Sequence, residues 1–95
     1  ADVVCKYAKT AKDCGIDGCI CSPYEVKKIK DYVETADFEC ITPGIRLVDD
    51  NVGDQSRVAT PQFSFGEGAN AVVIGRSITL HENPYERYME IKNSL

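Results

Sequence analysis

Cys19-Ile20-Cys21-Ser22-Pro23-Tyr24-Glu25 decides the fold of this chain. Cys19-Ile20-Cys21 is an apolar run too short for a helix and reads as a strand. Ser22 then supplies an N-cap, Pro23 the first helical position, and Glu25 the carboxylate of a capping box, so a helix follows at once. Val26, Ile29 and Val33 recur at helical spacing and form its core-facing stripe. A strand that feeds a helix directly is half of a βα unit, the building block of α/β folds.

Working outward, Val3, Val4, Tyr7, Ala8, Ala11 and Cys14 mark an amphipathic helix upstream, with Gly15 as its C-cap. Downstream, Phe38-Glu39-Cys40-Ile41-Thr42 reads as a second strand, broken by Pro43-Gly44. A polar loop carrying Gly and Asp then runs to about Ala59, and loops of that length in compact folds are often functional. Thr60-Pro61 opens a short helix by the same cap logic, although Phe63, Phe65 and Gly66 fit no regular amphipathic pattern. Ala71-Val72-Val73-Ile74 is a continuous apolar run, as expected of a parallel strand covered on both faces. Asn83-Pro84-Tyr85-Glu86 repeats the cap signature, with Tyr85, Tyr88, Met89, Lys92 and Leu95 on one side of a last helix. Tyr24 and Tyr85, each just inside a helix start, are expected to pack on the sheet.

Three strand-to-helix passages in series imply parallel strands joined by right-handed crossovers. Three such strands cannot close a barrel, since a complete (β/α)₈ barrel takes about 250 residues. Two sheet edges therefore stay open, and another polypeptide is expected to cover them.

Composition bounds the function. Ninety-five residues allow one domain at most, and 43% hydrophobic with 27% charged residues is ordinary for a globular protein. A formal charge of -4 without a basic stripe argues against nucleic acid as a partner. No apolar run approaches the length of a membrane span. The five cysteines are an odd number with no visible secretory signal, which predicts reduced, mostly buried thiols and a cytoplasmic location. No Cys-x-x-Cys pair or histidine cluster completes a zinc set, so no metal is expected. Asp49-Asp50-Asn51 and Asp54 lack calcium-loop spacing and read as a solvated acidic loop. His81 has no partner at motif spacing, and Lys27, Lys28 and Lys30 read as the solvated face of their helix.

Ligands of parallel α/β folds gather at the C-terminal ends of the strands. Pro43, Gly44, Arg46, Gly75, Arg76 and Ser77 fall there. A Gly-Arg pair suits an anion, because glycine lets backbone N–H groups approach while guanidinium grips phosphate through paired hydrogen bonds. An arginine tying a loop to a neighbouring carboxylate is the alternative reading of Arg76.

Four segments in order, Asp17-Gly18-Cys19-Ile20-Cys21-Ser22, Thr42-Pro43-Gly44-Ile45-Arg46, Gly53 to Pro61 and Val73 to Thr79, resemble the C-terminal part of the orotidine 5'-phosphate decarboxylase family. The resemblance covers nearly the whole chain and implies that residues 1–95 correspond to strands six to eight of a TIM barrel, with no second domain. It implies a carboxy-lyase of pyrimidine synthesis that needs no cofactor and takes orotidine 5'-phosphate to UMP. By that resemblance Gly75 and Arg76 bind the 5'-phosphate, Gln55 sits on the loop that closes over phosphate and base, and Arg46 joins them in bacterial-type members. Pro43 lines the pyrimidine pocket. Phe63-Ser64-Phe65-Gly66 departs from the regular Ala-rich helix usual there. The family's Asp-x-Lys-x-x-Asp motif does not occur in the sequence, so no catalytic residue is assigned to this chain. The partner is then a missing N-terminal part of the barrel, or a second copy paired through the open edges. A non-catalytic, self-associating phosphate-binding module and a piece of a related sugar-phosphate barrel enzyme are the alternatives.

Overall fold

The structure, a computed structural model, describes residues 2–34, 37–47 and 59–95. Helix α1 spans Asp2–Asp13. The chain turns at Gly15, whose φ of +89° is a left-handed conformation that glycine adopts without a Cβ penalty. Strand β1 (Gly18–Ile20) follows, then helix α2 (Val26–Val33) and strand β2 (Glu39–Thr42). Helix α3 (Pro61–Gly66) leads to strand β3 (Ala71–Val72), and the chain ends in helices α4 (Arg76–Thr79) and α5 (Pro84–Asn93).

The three strands form one parallel sheet in the order β1-β2-β3. Cys19 pairs with Cys40, Ile20 with Ile41, Ile41 with Ala71, and Thr42 with Val72. Hydrogen bonding continues past the strand ends, from Cys21 N–H to the Ile41 carbonyl at 3.0 Å and from Val73 N–H to the Thr42 carbonyl at 2.8 Å. The expected α/β class with three parallel strands and flanking helices is therefore the observed one.

Helices α1 and α2 cover one face of the sheet. Cys5 and Ala8 of α1 meet Val26, Ile29 and Val33 of α2 over Cys21, Phe38, Cys40 and Ala69, and these form the buried core. The stripe Val26, Ile29, Val33 read from the sequence is thus the centre of that core. The opposite face carries the cross-strand row Ile20, Ile41 and Ala71 together with Val73. Ile20 is 66% exposed and Val73 51%. The Cα radius of gyration is 14.5 Å, against about 12 Å for a self-contained domain of this length, so the described fold is extended rather than closed on itself.

Several sequence expectations need correction. The regular α-helix after β1 begins at Val26, with Pro23–Glu25 forming a turn. The capping groups still meet: Ser22 N–H donates to Glu25 Oε1 at 3.3 Å, and Tyr24 N–H donates to Ser22 Oγ at 3.2 Å. Strand β3 stops at Val72, because beyond Val73 the chain turns away from β2 and loses the ladder. The apolar run there has only one covered face. In α5 the buried residues are Arg87 and Ile91, while Tyr85, Tyr88 and Leu95 are exposed. The short helix α4, absent from the sequence reading, explains this, because α5 packs against it through Arg87. Tyr24 lies against the Phe63 ring, with centroids 5.1 Å apart, instead of on the sheet. Cys14 is exposed and Cys19 half-buried, so burial of the thiols is not general.

Thr60 caps α3 as expected, its hydroxyl accepting from Phe63 N–H at 3.1 Å. Within the same helix Ser64 is fully buried, and its hydroxyl lies 2.7 Å from that of Thr42, also fully buried. This pair ties α3 to the end of β2 and satisfies both hydroxyls in a dry environment.

Ile29→Ala removes the largest fully buried side chain and is expected to lower stability by about 2–5 kcal/mol in urea unfolding. Tyr85→Ala, at a side chain 72% exposed, should change it by less than about 0.5 kcal/mol. Equal costs at the two positions would contradict the assignment of the core.

Candidate functional site

Parallel strands deliver their C-terminal ends to a single rim, and β2 and β3 are neighbours. Immediately after β2 come Pro43, which is exposed, and Gly44, whose φ of +71° requires the left-handed region. Ile45 then turns back into the protein, buried, and pairs with Ala59 in an isolated parallel bridge. Arg46 N–H donates to the Ala59 carbonyl at 2.9 Å. That bridge brings the two ends of the long loop together and fixes where Arg46, half-buried, leaves the sheet. Gln55 and the acidic stretch Asp49 to Asp54 lie outside the described residues.

After β3, Gly75 precedes α4 and its carbonyl accepts from Ile78 N–H at 2.9 Å and Thr79 N–H at 3.0 Å. A Cβ at Gly75 would meet nothing within 4 Å, so glycine here keeps the approach to the backbone open and relieves no clash. Arg76, the first residue of α4, is exposed. The topology thus brings the Pro43–Arg46 and Gly75–Arg76 segments to one rim. What they offer is two guanidinium groups and accessible main chain, suited to holding an anion and not to moving a proton.

Arg87, which sequence reasoning did not single out, supports this rim from behind. Its side chain is buried, Nε donates to the Ser77 carbonyl at 3.4 Å, and Nη1 lies 3.6 Å from Glu90 Oε1. It therefore ties α5 to the residue that follows Arg76. The spacing of Arg87 and Ile91, one helical turn apart, is the only trace of this in the sequence.

On the helix-covered side of the sheet, Cys19 and Cys21 of the first strand and its extension meet Cys40 of β2. Their three Sγ atoms all lie within 4.8 Å of one another. Cys21 and Cys40 are buried and Cys19 is half-buried. Burial pushes the Cys21 thiol far above its ordinary value of 9.0, and the neighbouring Cys40 and Cys19 add to the shift. Burial raises Cys40 as well, with Cys19 adding to it, while a hydrogen bond from Cys21 and the Lys30 ammonium act in the opposite direction. The sequence showed no zinc set because the third sulfur arrives through strand register and not through spacing along the chain.

Comparison with known proteins places these features in a family. The model of the orotidine 5'-phosphate decarboxylase / HUMPS family matches residues 1–91. An orotidine 5'-phosphate decarboxylase of Fusobacterium nucleatum is 51% identical over 90 residues, covering 95% of this chain and 38% of the relative. One from Streptococcus suis is 46% identical over 91 residues, covering 96% of this chain and 39% of the relative. Among solved structures, the orotidine 5'-phosphate decarboxylase of Lactobacillus acidophilus superimposes with a TM-score of 0.77 at 42% identity, covering 95% of this chain and 35% of that one. The chain thus spans about two fifths of the length of the curated relatives it matches, and its three strands with their helices correspond to part of a barrel.

The buried thiols set an expectation for pH. A thiol whose folded value is raised stabilises the fold fully below the unfolded value of 9.0, and that contribution is lost as pH rises towards the folded value. The urea midpoint is expected to fall as pH is taken from about 8 to about 11, and Cys21→Ala should flatten the decline. A decline of unchanged slope in that variant would assign it to other groups.

Proposed function

The chain belongs to the orotidine 5'-phosphate decarboxylase / HUMPS family, and we propose that residues 1–95 supply strands six to eight of an orotidine 5'-phosphate decarboxylase barrel, with the grip for the nucleotide 5'-phosphate. The supporting observation is the rim at the ends of β2 and β3, where Arg46 and Arg76 stand at adjacent strand ends beside open main chain at Gly75. In this reading Arg76 and the Gly75 main chain hold the 5'-phosphate, Arg46 and Gln55 close over it, and Pro43 borders the pyrimidine. Arg87 is a positioning residue, holding the α4 turn through the Ser77 carbonyl.

The bare sheet face supports the same reading. Ile20, Ile41, Ala71 and Val73 lie on the side of the sheet that a closed barrel turns inward, so the remaining strands would cover them. The Asp-x-Lys-x-x-Asp motif is not in these residues, and the acid–base work of decarboxylation belongs to the covering part. The phosphate grip then contributes binding energy at a distance from the bond that breaks, and loop closure makes that energy available in the transition state. Five free thiols suit a reducing compartment such as the cytosol.

The test is to co-produce this chain with the N-terminal barrel part of the 51%-identical relative and measure UMP binding and decarboxylation. Arg76→Ala is expected to weaken UMP by about 10- to 100-fold, the loss of a charge-assisted contact, while leaving uridine binding unchanged. Arg76→Ala binding UMP as tightly as the parent would sink the phosphate assignment. A stable homo-oligomer that excludes the N-terminal part would favour a self-associating module.

A further inference from the structure

We propose that Cys19, Cys21 and Cys40 form a three-thiolate site for a soft d¹⁰ cation, copper(I), between the sheet and its covering helices. The three Sγ atoms already lie within 4.8 Å of one another. Metal–sulfur bonds of about 2.3 Å in a trigonal plane need sulfurs about 4.0 Å apart, so less than about 1 Å of contraction closes the site. Side-chain rotation of unbranched cysteines supplies a change of that size without moving the strands.

The backbone under the sulfurs is held firmly. Cys19 and Cys40 are register partners, and Cys21 N–H donates to the Ile41 carbonyl at 3.0 Å. Asn70 clamps Cys40 on both sides: its Oδ1 accepts Cys40 N–H at 2.9 Å, and its own N–H donates to the Cys40 carbonyl at 2.9 Å. The same Oδ1 accepts from Lys30 Nζ at 2.6 Å, which stations an ammonium beside Cys40. Cys40 is fully buried, whereas half-buried Cys19 provides the way in.

Copper(I) fits this donor set better than zinc. Thiolate sulfur is a soft ligand, and the trio forms the only group of three His, Cys, Asp or Glu ligands brought together among the described residues. Zinc in structural sites takes four ligands in a tetrahedron, whereas a trio satisfies a three-coordinate ion. Binding breaks three S–H bonds, forms three Cu–S bonds and releases three protons to solvent, so a monovalent ion leaves a complex of charge -2. The Lys30 ammonium offsets part of that charge. The site lies on the helix side of the sheet and shares no residue with the proposed phosphate rim, so it stands whether or not that rim binds nucleotide.

The experiment is an anaerobic titration of the reduced protein with copper(I) buffered by a chromophoric chelator, followed by X-ray absorption. One copper per chain with three sulfur neighbours is expected, and zinc should bind at least about 100-fold more weakly. Cys40→Ser and Cys19→Ser should each lower copper affinity by at least about 100-fold, and Cys14→Ser, at an exposed thiol outside the trio, should leave it unchanged. Circular dichroism checks folding; if Cys40→Ser unfolds, the half-buried Cys19→Ser decides. Failure to take copper from the chelator, retention of copper by the folded Cys19→Ser protein, or tighter binding of zinc overturns the proposal.

Discussion

A parallel sheet is stable only when both of its faces are covered, and that constraint organises this molecule. The face under α1 and α2 meets it through Val26, Ile29 and Val33 packed on Cys21, Phe38 and Cys40. The other face leaves the row Ile20, Ile41 and Ala71 without a protein layer among the described residues. The extended shape is consistent with this asymmetry, and the chain spans only about two fifths of the length of the curated relatives it matches. The cross-strand row on that face is apolar, while Glu39, two residues before Ile41 on the same face, is exposed.

The proposed phosphate rim is a consequence of the same topology. The strands β1, β2 and β3 are parallel, so the turns that follow them gather at one end. Three contacts hold that end in shape: the Ile45–Ala59 bridge at the foot of the long loop, the buried hydroxyl pair of Thr42 and Ser64, and the bond from Arg87 to the Ser77 carbonyl. None of these groups needs to touch a ligand. Their effect is to remove freedom from the segments that carry Arg46 and Arg76, so that less ordering is left for binding to accomplish.

The elements that could be read from the sequence are those whose signals are local. Thr60 caps α3 through its own hydroxyl, and Gly15 takes the positive φ that its place after α1 requires. The elements that misled the reading depend on neighbours. Ala71-Val72-Val73-Ile74 has the composition of a doubly covered strand, yet the strand keeps only Ala71 and Val72, and Val73 is exposed on the bare face. The tyrosines of α5 suggested its buried side, but the helix buries Arg87 and Ile91 instead, and Arg87 bonds to the Ser77 carbonyl of α4. A four-residue helix has too short a period to be seen in advance. The candidate rim residues Pro43, Arg46, Gly75 and Arg76 were legible because strand ends and glycine-arginine pairs are local; Arg87 was not, because its role is set by α4.

By itself the sequence determined the α/β class, the helix stripe at the centre of the core and the family, because caps, periodicity and ordered motifs are properties of neighbouring residues. Tertiary structure alone decided which face of the sheet is bare, which side of α5 is buried, and that Cys40 joins Cys19 and Cys21. The physical reason is register: two strands hydrogen-bonded side by side bring together residues that lie 21 and 19 positions apart, and no local pattern encodes that meeting.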